Sequence, residues 1–150
     1  EIAMYHNILV AYDGSKHADK AMDIALELAA KFDAELHLVQ VVNHAHATSG
    51  AAEYARSENI DDPDQLEIEV AKADLLKRFT PKARDAGVEN IHTEVTRGDP
   101  AECLLNYVQD RDVDMVVMGR RGVGRVEGLL VGSVSSKMSA LAESAVLTVK

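Results

Sequence analysis

Apolar residues follow two rhythms along this chain, and they take turns. Asn7 to Tyr12 (NILVAY) is an unbroken apolar run closed by Asp13-Gly14, the pattern of a strand covered on both faces. Ser15 then stands where a helix cap is needed, and Ala18, Ala21, Met22, Ala25, Leu28, Ala29 and Phe32 recur at three- and four-residue steps, which predicts one apolar stripe. Glu35 to Val42 (ELHLVQVV) predicts a second strand. In Asp62-Pro63-Asp64-Gln65 the first residue caps, the proline takes the first turn and Gln65 bonds back, opening a long helix with Leu66, Val70, Ala73, Leu76 and Ala83 on its stripe. Pro81 is expected to kink or interrupt it before Gly87 ends it.

Ile91 to Thr96 alternates like a more exposed strand, and Asp99-Pro100-Ala101-Glu102 is a second capping box for a helix to about Asp110. Val113 to Met118 predicts a fourth strand, Ser133 opens a helix carrying Val134, Met138 and Leu141, and Ala145 to Val149 predicts a fifth strand. Strict alternation of strand and helix implies right-handed crossovers and a parallel sheet. The expected fold is a doubly wound, five-stranded parallel sheet of order 3-2-1-4-5 with helices on both faces. Ligands in such sheets sit outside the carboxyl ends of the strands where the winding reverses. With strands one and four as neighbours there, Asp13 would face whatever follows Met118.

Composition narrows the setting. A length of 150 residues suits one domain over the whole chain, and 47% hydrophobic with 27% charged residues are globular values. No apolar stretch is long enough to span a bilayer, and Glu1 to Tyr5 lacks the basic and apolar regions of a secretory signal. Met4 reads as the native initiator, which makes residues 1–3 non-native. The single Cys103 excludes an internal disulfide and lies at helical spacing with Leu104 and Val108, so it reads as core filling in a cytoplasmic protein. A net charge of −9 argues against nucleic acid as a partner. Any bound anion has to be held by a local feature.

The segment after strand four supplies one. Five of the nine glycines fall between Met118 and Ser133, in MGRRGVGRVEGLLVGS, and Arg120, Arg121, Arg125 and Lys137 against Glu127 leave the surroundings positive. Gly119, Gly122 and Gly132 permit close backbone approach to a phosphate, while Ser133 and Ser135 add hydroxyls at a helix N-terminus. Read alone, the glycines are also compatible with tight turns and nothing more. Arg120 and Arg121 either reach phosphates or solvate the loop, and Asp13 either holds a ribose hydroxyl or metal-bound water or is a turn carboxylate. No G-x-x-x-x-G-K-[ST] is present, and Asp13-Gly14-Ser15 does not make a G-x-G-x-x-G turn after strand one, so strong NTPase chemistry is not indicated. His44 and His46 lie in 43–61, a stretch without periodicity that reads as a long loop and a candidate lid; no third ligand accompanies them. His6, His17, His37 and His92 are scattered singly, with no serine partner the sequence identifies.

At this point the residues resemble the universal stress proteins, in their ATP-binding branch. Gly119, two residues, Gly122, nine residues, then Gly132-Ser133 fits the G-x2-G-x9-G-[ST] pattern of that branch without insertion. The likeness extends to strand one with Asp13, the LVQVV strand, the turn Gly98 to Glu102, the approach Val113 to Gly119 and the terminal strand. It implies ATP with Mg2+ as ligand. Asp13 would lie on the ribose and metal side, touching the ion indirectly, and Val41 would offer main-chain contacts to adenine, with Ala11 and Tyr12 beside it. Met118, Gly119, Arg120, Arg121, Gly122 and Gly132 would line the nucleotide and its phosphates, and Ser133, Val134 and Ser135 would supply the helix end. Ala11-Tyr12 departs from the family's usual Pro-Thr or Pro-Val, and Glu143-Ser144-Ala145 from a frequent Cys-Pro.

The resemblance further implies a homodimer, or an assembly of dimers, through the uncovered terminal strand, and a regulator of a transporter or signalling protein. The leading function is thus a cytoplasmic, ATP-binding stress-response protein whose nucleotide state tunes assembly or partner binding. The alternative is an enzyme, a slow ATPase or autophosphorylating protein. A phospho-receiver domain fits less well, because Asp13 stands alone and Thr96-Arg97-Gly98 follows strand three; a flavin domain on a similar sheet would colour the purified protein.

Overall fold

The computed structural model describes residues 4–42, 63–120 and 133–150. In chain order these hold β1 (Asn7–Ala11), α1 (Lys16–Phe32), β2 (Glu35–Val42), α2 (Pro63–Ala86), β3 (Ile91–Arg97), α3 (Pro100–Asp110), β4 (Met115–Gly119), α4 (Ser133–Leu141) and β5 (Ala145–Val149). The strands form one sheet of order β3-β2-β1-β4-β5, every neighbouring pair parallel. The expected topology is therefore the observed one.

Alternation along the strands sorts the core into two layers. Ile8 and Val10 of β1, Leu36 and Leu38 of β2, and Val117 of β4 face α1 and α2. Leu9, Val39, Val116 and Met118 face α3 and α4 with Leu104, Val108 and Met138. Both layers are sealed, since β1 is central and Ile8, Leu9 and Val10 are all fully buried.

Caps fix the helix starts. Ser15 accepts from the Ala18 N–H and Asp99 from the Glu102 N–H, each satisfying a donor that the first turn leaves open. Asp112, in a left-handed conformation, separates α3 from the next strand, so β4 begins at Met115 and not at Val113. Gly98, at φ 150°, has no room for a side chain: a Cβ there would lie 2.8 Å from Cys103 Sγ. Burial and the carboxylates of Glu102, Asp99 and Glu94 raise the Cys103 pKa, in keeping with a packed rather than reactive thiol.

Three expectations about helix faces need correction. On α1 the buried stripe includes Leu26, while Leu28 is half-buried and Phe32 is exposed against Tyr5 at the helix end. The buried face of α2 is Leu75, Phe79 and Ala83, with Ile68 and Ala71 partly covered. Val70 is 60% and Leu76 38% exposed. Pro81 does not interrupt α2, because Phe79 and Ala83 on either side are anchored on one stripe and Lys82 pairs with Asp23 of α1 at 2.8 Å. Leu141, on the expected stripe of α4, is 63% exposed at the helix end. The N-cap Asp62, the 43–61 loop with His44 and His46, and residues 1–3 lie outside the described residues.

Candidate functional site

β1 and β4 are neighbours, with Ala11 level with Met118, so the winding reverses between them and their carboxyl ends open one crevice. Four of the expected site residues share its α3/α4 side. Ala11, Val41 and Val134 are partly buried there around the buried Met118 and Met138. Ala11, level with Val39 on one side and Met118 on the other, presents only a methyl group at the end of β1.

Tyr12 does not join them. Its side chain turns to the opposite layer, where the phenol donates to Asp19 Oδ1 at 2.8 Å, and burial followed by that carboxylate raises its pKa. Its N–H donates to the Val39 carbonyl at 2.9 Å. Any contact it makes in the crevice has to run through the main chain. Asp13 is exposed, and its Oδ1 accepts from the Ser15 N–H at 2.9 Å, an Asx-type turn assisted by Gly14 at φ 83°.

The β4 exit is held on two sides. Gly119 ends the strand, and the Arg120 N–H donates to the Val149 carbonyl of β5 at 2.7 Å. From α4, the buried Ser135 hydroxyl donates to the Arg120 carbonyl at 2.8 Å. Ser135 thus ties the helix start to the strand exit, a positioning role that a phosphate contact alone does not capture. Arg120 Nε is shut off from solvent with no hydrogen-bond partner among the described residues. Ser133, at the start of α4, is exposed. Arg121, Gly122 and Gly132 lie outside the described residues. Ser135→Ala leaves the Arg120 carbonyl without that donor and is expected to lower stability by about 1–3 kcal/mol, read from urea unfolding.

One cluster escaped the sequence altogether. Glu35, His37 and His92 meet at the amino ends of β2 and β3, although the histidines are far apart in the chain and each looks solitary. The signal was positional: both sit near the start of adjacent parallel strands, where register places them side by side.

The universal stress protein family profile matches residues 4–150. Among curated relatives, the universal stress protein YxiE of Bacillus subtilis is 34% identical over 152 residues, spanning 98% of this chain and 100% of its own. Among solved structures, universal stress protein UspA of Lactobacillus plantarum superposes with a TM-score of 0.77 at 28% identity, covering 97% of this chain and 98% of that one. A universal stress protein from Archaeoglobus fulgidus in complex with dAMP gives 0.66 at 19% identity, covering 98% and 99%. A further universal stress protein, in complex with cAMP, gives 0.70 at 22%, covering 98% of both chains. The order of the sheet, the crevice between β1 and β4 and a profile match over nearly its whole length agree, and the chain belongs to the universal stress protein family.

Proposed function

We propose that this protein is an ATP-binding regulator of the stress response, with the nucleotide held at the carboxyl ends of β1, β2 and β4. The observation that carries the reading is the convergence of Ala11, Val41, Met118 and Val134 on one side of the β1/β4 crevice, next to the start of α4. An apolar surface of Val41, Met118 and Val134 with only a methyl group at Ala11 suits a purine, and a helix N-terminus suits phosphate. Val41 and the main chain at Ala11 and Tyr12 would meet adenine; Asp13 would face the ribose and, through water, Mg2+. Gly119, Arg120, Arg121, Gly122, Gly132, Ser133 and Ser135 would surround the phosphates. The dAMP and cAMP complexes support nucleotide binding by shared fold, and the G-x2-G-x9-G-S spacing favours a triphosphate.

The sequence carries no G-x-x-x-x-G-K-[ST] loop, and we read the site as one that holds the nucleotide more readily than it turns it over. Partner binding or assembly would then report its presence. β5 is an edge strand, and pairing through it would relieve that edge in a homodimer. The protein would act in the cytoplasm on a transporter or signalling partner.

Mass spectrometry of nucleotide released from the purified, denatured protein tests the reading. ATP is the expected species. Absence of any nucleotide, together with no ATP binding in titration, sinks it. Gly132→Val puts a branched side chain into the phosphate loop and is expected to weaken ATP binding on the order of a hundredfold without loss of fold. Turnover of labelled ATP that disappears in the same variant would favour the enzyme instead.

A further inference from the structure

We propose that Glu35, His37 and His92 form a divalent transition-metal site of the zinc type, at the end of the sheet opposite the nucleotide crevice. β2 and β3 run parallel with His37 level with His92, so the two imidazoles lie side by side, rings stacked with centroids 4.8 Å apart. Glu35 is two residues before His37 and therefore on the same face. Glu35 Oε2 lies 3.3 Å from His92 Nε2 and 4.0 Å from His37 Nε2, and the three candidate ligand atoms all fall within 4.8 Å of one another.

Those separations are near what zinc requires. Metal–ligand bonds of about 2.0–2.2 Å in a tetrahedron put ligand atoms roughly 3.4 Å apart. The Glu35 and His92 side chains are 48% and 49% exposed, so each can swing inward, while the His37 side chain, 4% exposed, is the fixed point. Tyr107 of α3 orients that fixed point: its hydroxyl is 2.7 Å from His37 Nδ1. As the side chains stand, the Tyr107 hydroxyl donates to Nδ1 and Nε2–H donates to Asn7 Oδ1; metal binding moves the ring proton to Nδ1, which then donates to the phenol oxygen and frees the Nε2 lone pair on the Glu35 side, the arrangement that commonly aligns a metal-binding imidazole. Asn7 Oδ1, 3.2 Å from the same Nε2, has to yield on binding.

Two imidazoles and one carboxylate suit zinc and leave a fourth position for water. The net charge of −9 favours a cation, whereas Arg111, stacked over Tyr107 at 5.4 Å, works against one. A bound ion would clamp the edge strand β3 to β2. The nucleotide site plays no part in this.

Calorimetric titration of zinc chloride into the tag-free, chelator-treated full chain tests it. One ion per chain is expected, weakened at least about a hundredfold by His92→Ala or Glu35→Gln and about tenfold by Tyr107→Phe, and unchanged by His44→Ala with His46→Ala. The thermal midpoint should rise by roughly 5 °C in the wild type at about a hundredfold excess over Kd, and not in His92→Ala. Far-UV circular dichroism confirms that each variant folds; should His92→Ala fail, Glu35→Gln, an exposed and nearly isosteric change, carries the test. No zinc binding by the wild type overturns the proposal. So does binding that survives His92→Ala and Glu35→Gln, or binding lost with His44 and His46, because the Glu35–His92 contact is then an ion pair and nothing more.

Discussion

Replacing Phe79 by alanine is expected to lower the unfolding free energy by about 3–5 kcal/mol, a large share of the total stability of a domain of this size. Phe79 is the largest fully buried side chain of the described residues. It is seated in the layer formed with Ala21, Ala25, Leu75 and Ala83, under a sheet face of aliphatic side chains. The alanines of α1 are what allow that helix to sit close, and they are also why the loss cannot be repaired. Short side chains have no further reach with which to fill the void, so the cavity cost adds to the lost transfer free energy. Equilibrium urea unfolding should show the midpoint falling with an unchanged slope, and Phe79→Leu should recover more than half the loss. A decrease under about 1 kcal/mol would mean that α2 collapses inward and that Phe79 is not its anchor.

Acid is expected to cost the metal-free protein about 3 kcal/mol through His37 alone. Burial, with smaller contributions from His92 and Arg111, lowers its pKa from 6.5 to about 4, while Glu35 pulls the other way. The folded state then takes up its proton later than the unfolded chain does. Stability from this group is fully present above pH 6.5 and is lost as the pH falls from 6.5 towards 4, at about 1.4 kcal/mol for each pH step of one between those two values. Paired carboxylates add their own acid dependence, so the informative quantity is the difference between wild type and His37→Gln, unfolded in urea with chelator present. That difference should change by about 3 kcal/mol across the window. If it stays flat between about pH 7 and pH 4, the imidazole is not shielded as the geometry requires.

The strand and helix order was legible because each element carries its own boundary chemistry. Ser15, Asp99 with Pro100, and the run of Asn7 to Tyr12 needed no knowledge of distant residues, and the structure puts caps and strand there. The face of α2 was not legible. Val70, Ala73 and Leu76 interleave with Ile68, Ala71 and Leu75 at equally helical steps, and only the position of α1 and β3 decides which set is covered. Phe32 and Leu141 fail for a related reason: a stripe continues in sequence to the helix end, where there is no longer a surface beneath it.

At the crevice between β1 and β4 the segments were legible in the sequence but not their orientation. Tyr12 follows Ala11 directly, and alternation across the pleat sends its side chain to the other layer. Ser135, expected at the ligand, was a sequence-level hydroxyl whose partner, the Arg120 carbonyl, depends on how α4 returns over the sheet. Glu35, His37 and His92 were invisible as a group for the same cause, since cross-strand register is a tertiary fact. Local chemistry is readable from sequence; juxtaposition between elements is not.

The two ends of the central pairing also set a timetable. The Asp114 carboxylate accepts from the main-chain N–H groups of His6 and Asn7 at 2.7 and 2.9 Å, across sequence separations of 108 and 107 residues. β1 is synthesised first, yet its position at the centre of the sheet is completed only when β4 arrives. At a usual elongation rate of about 5–20 residues per second, that wait is on the order of 5–20 s. During it a strand whose Ile8, Leu9 and Val10 are fully buried in the finished fold has β2 on one side and nothing on the other. This family member therefore emerges from the ribosome with its core strand covered on one side only until β4 is made.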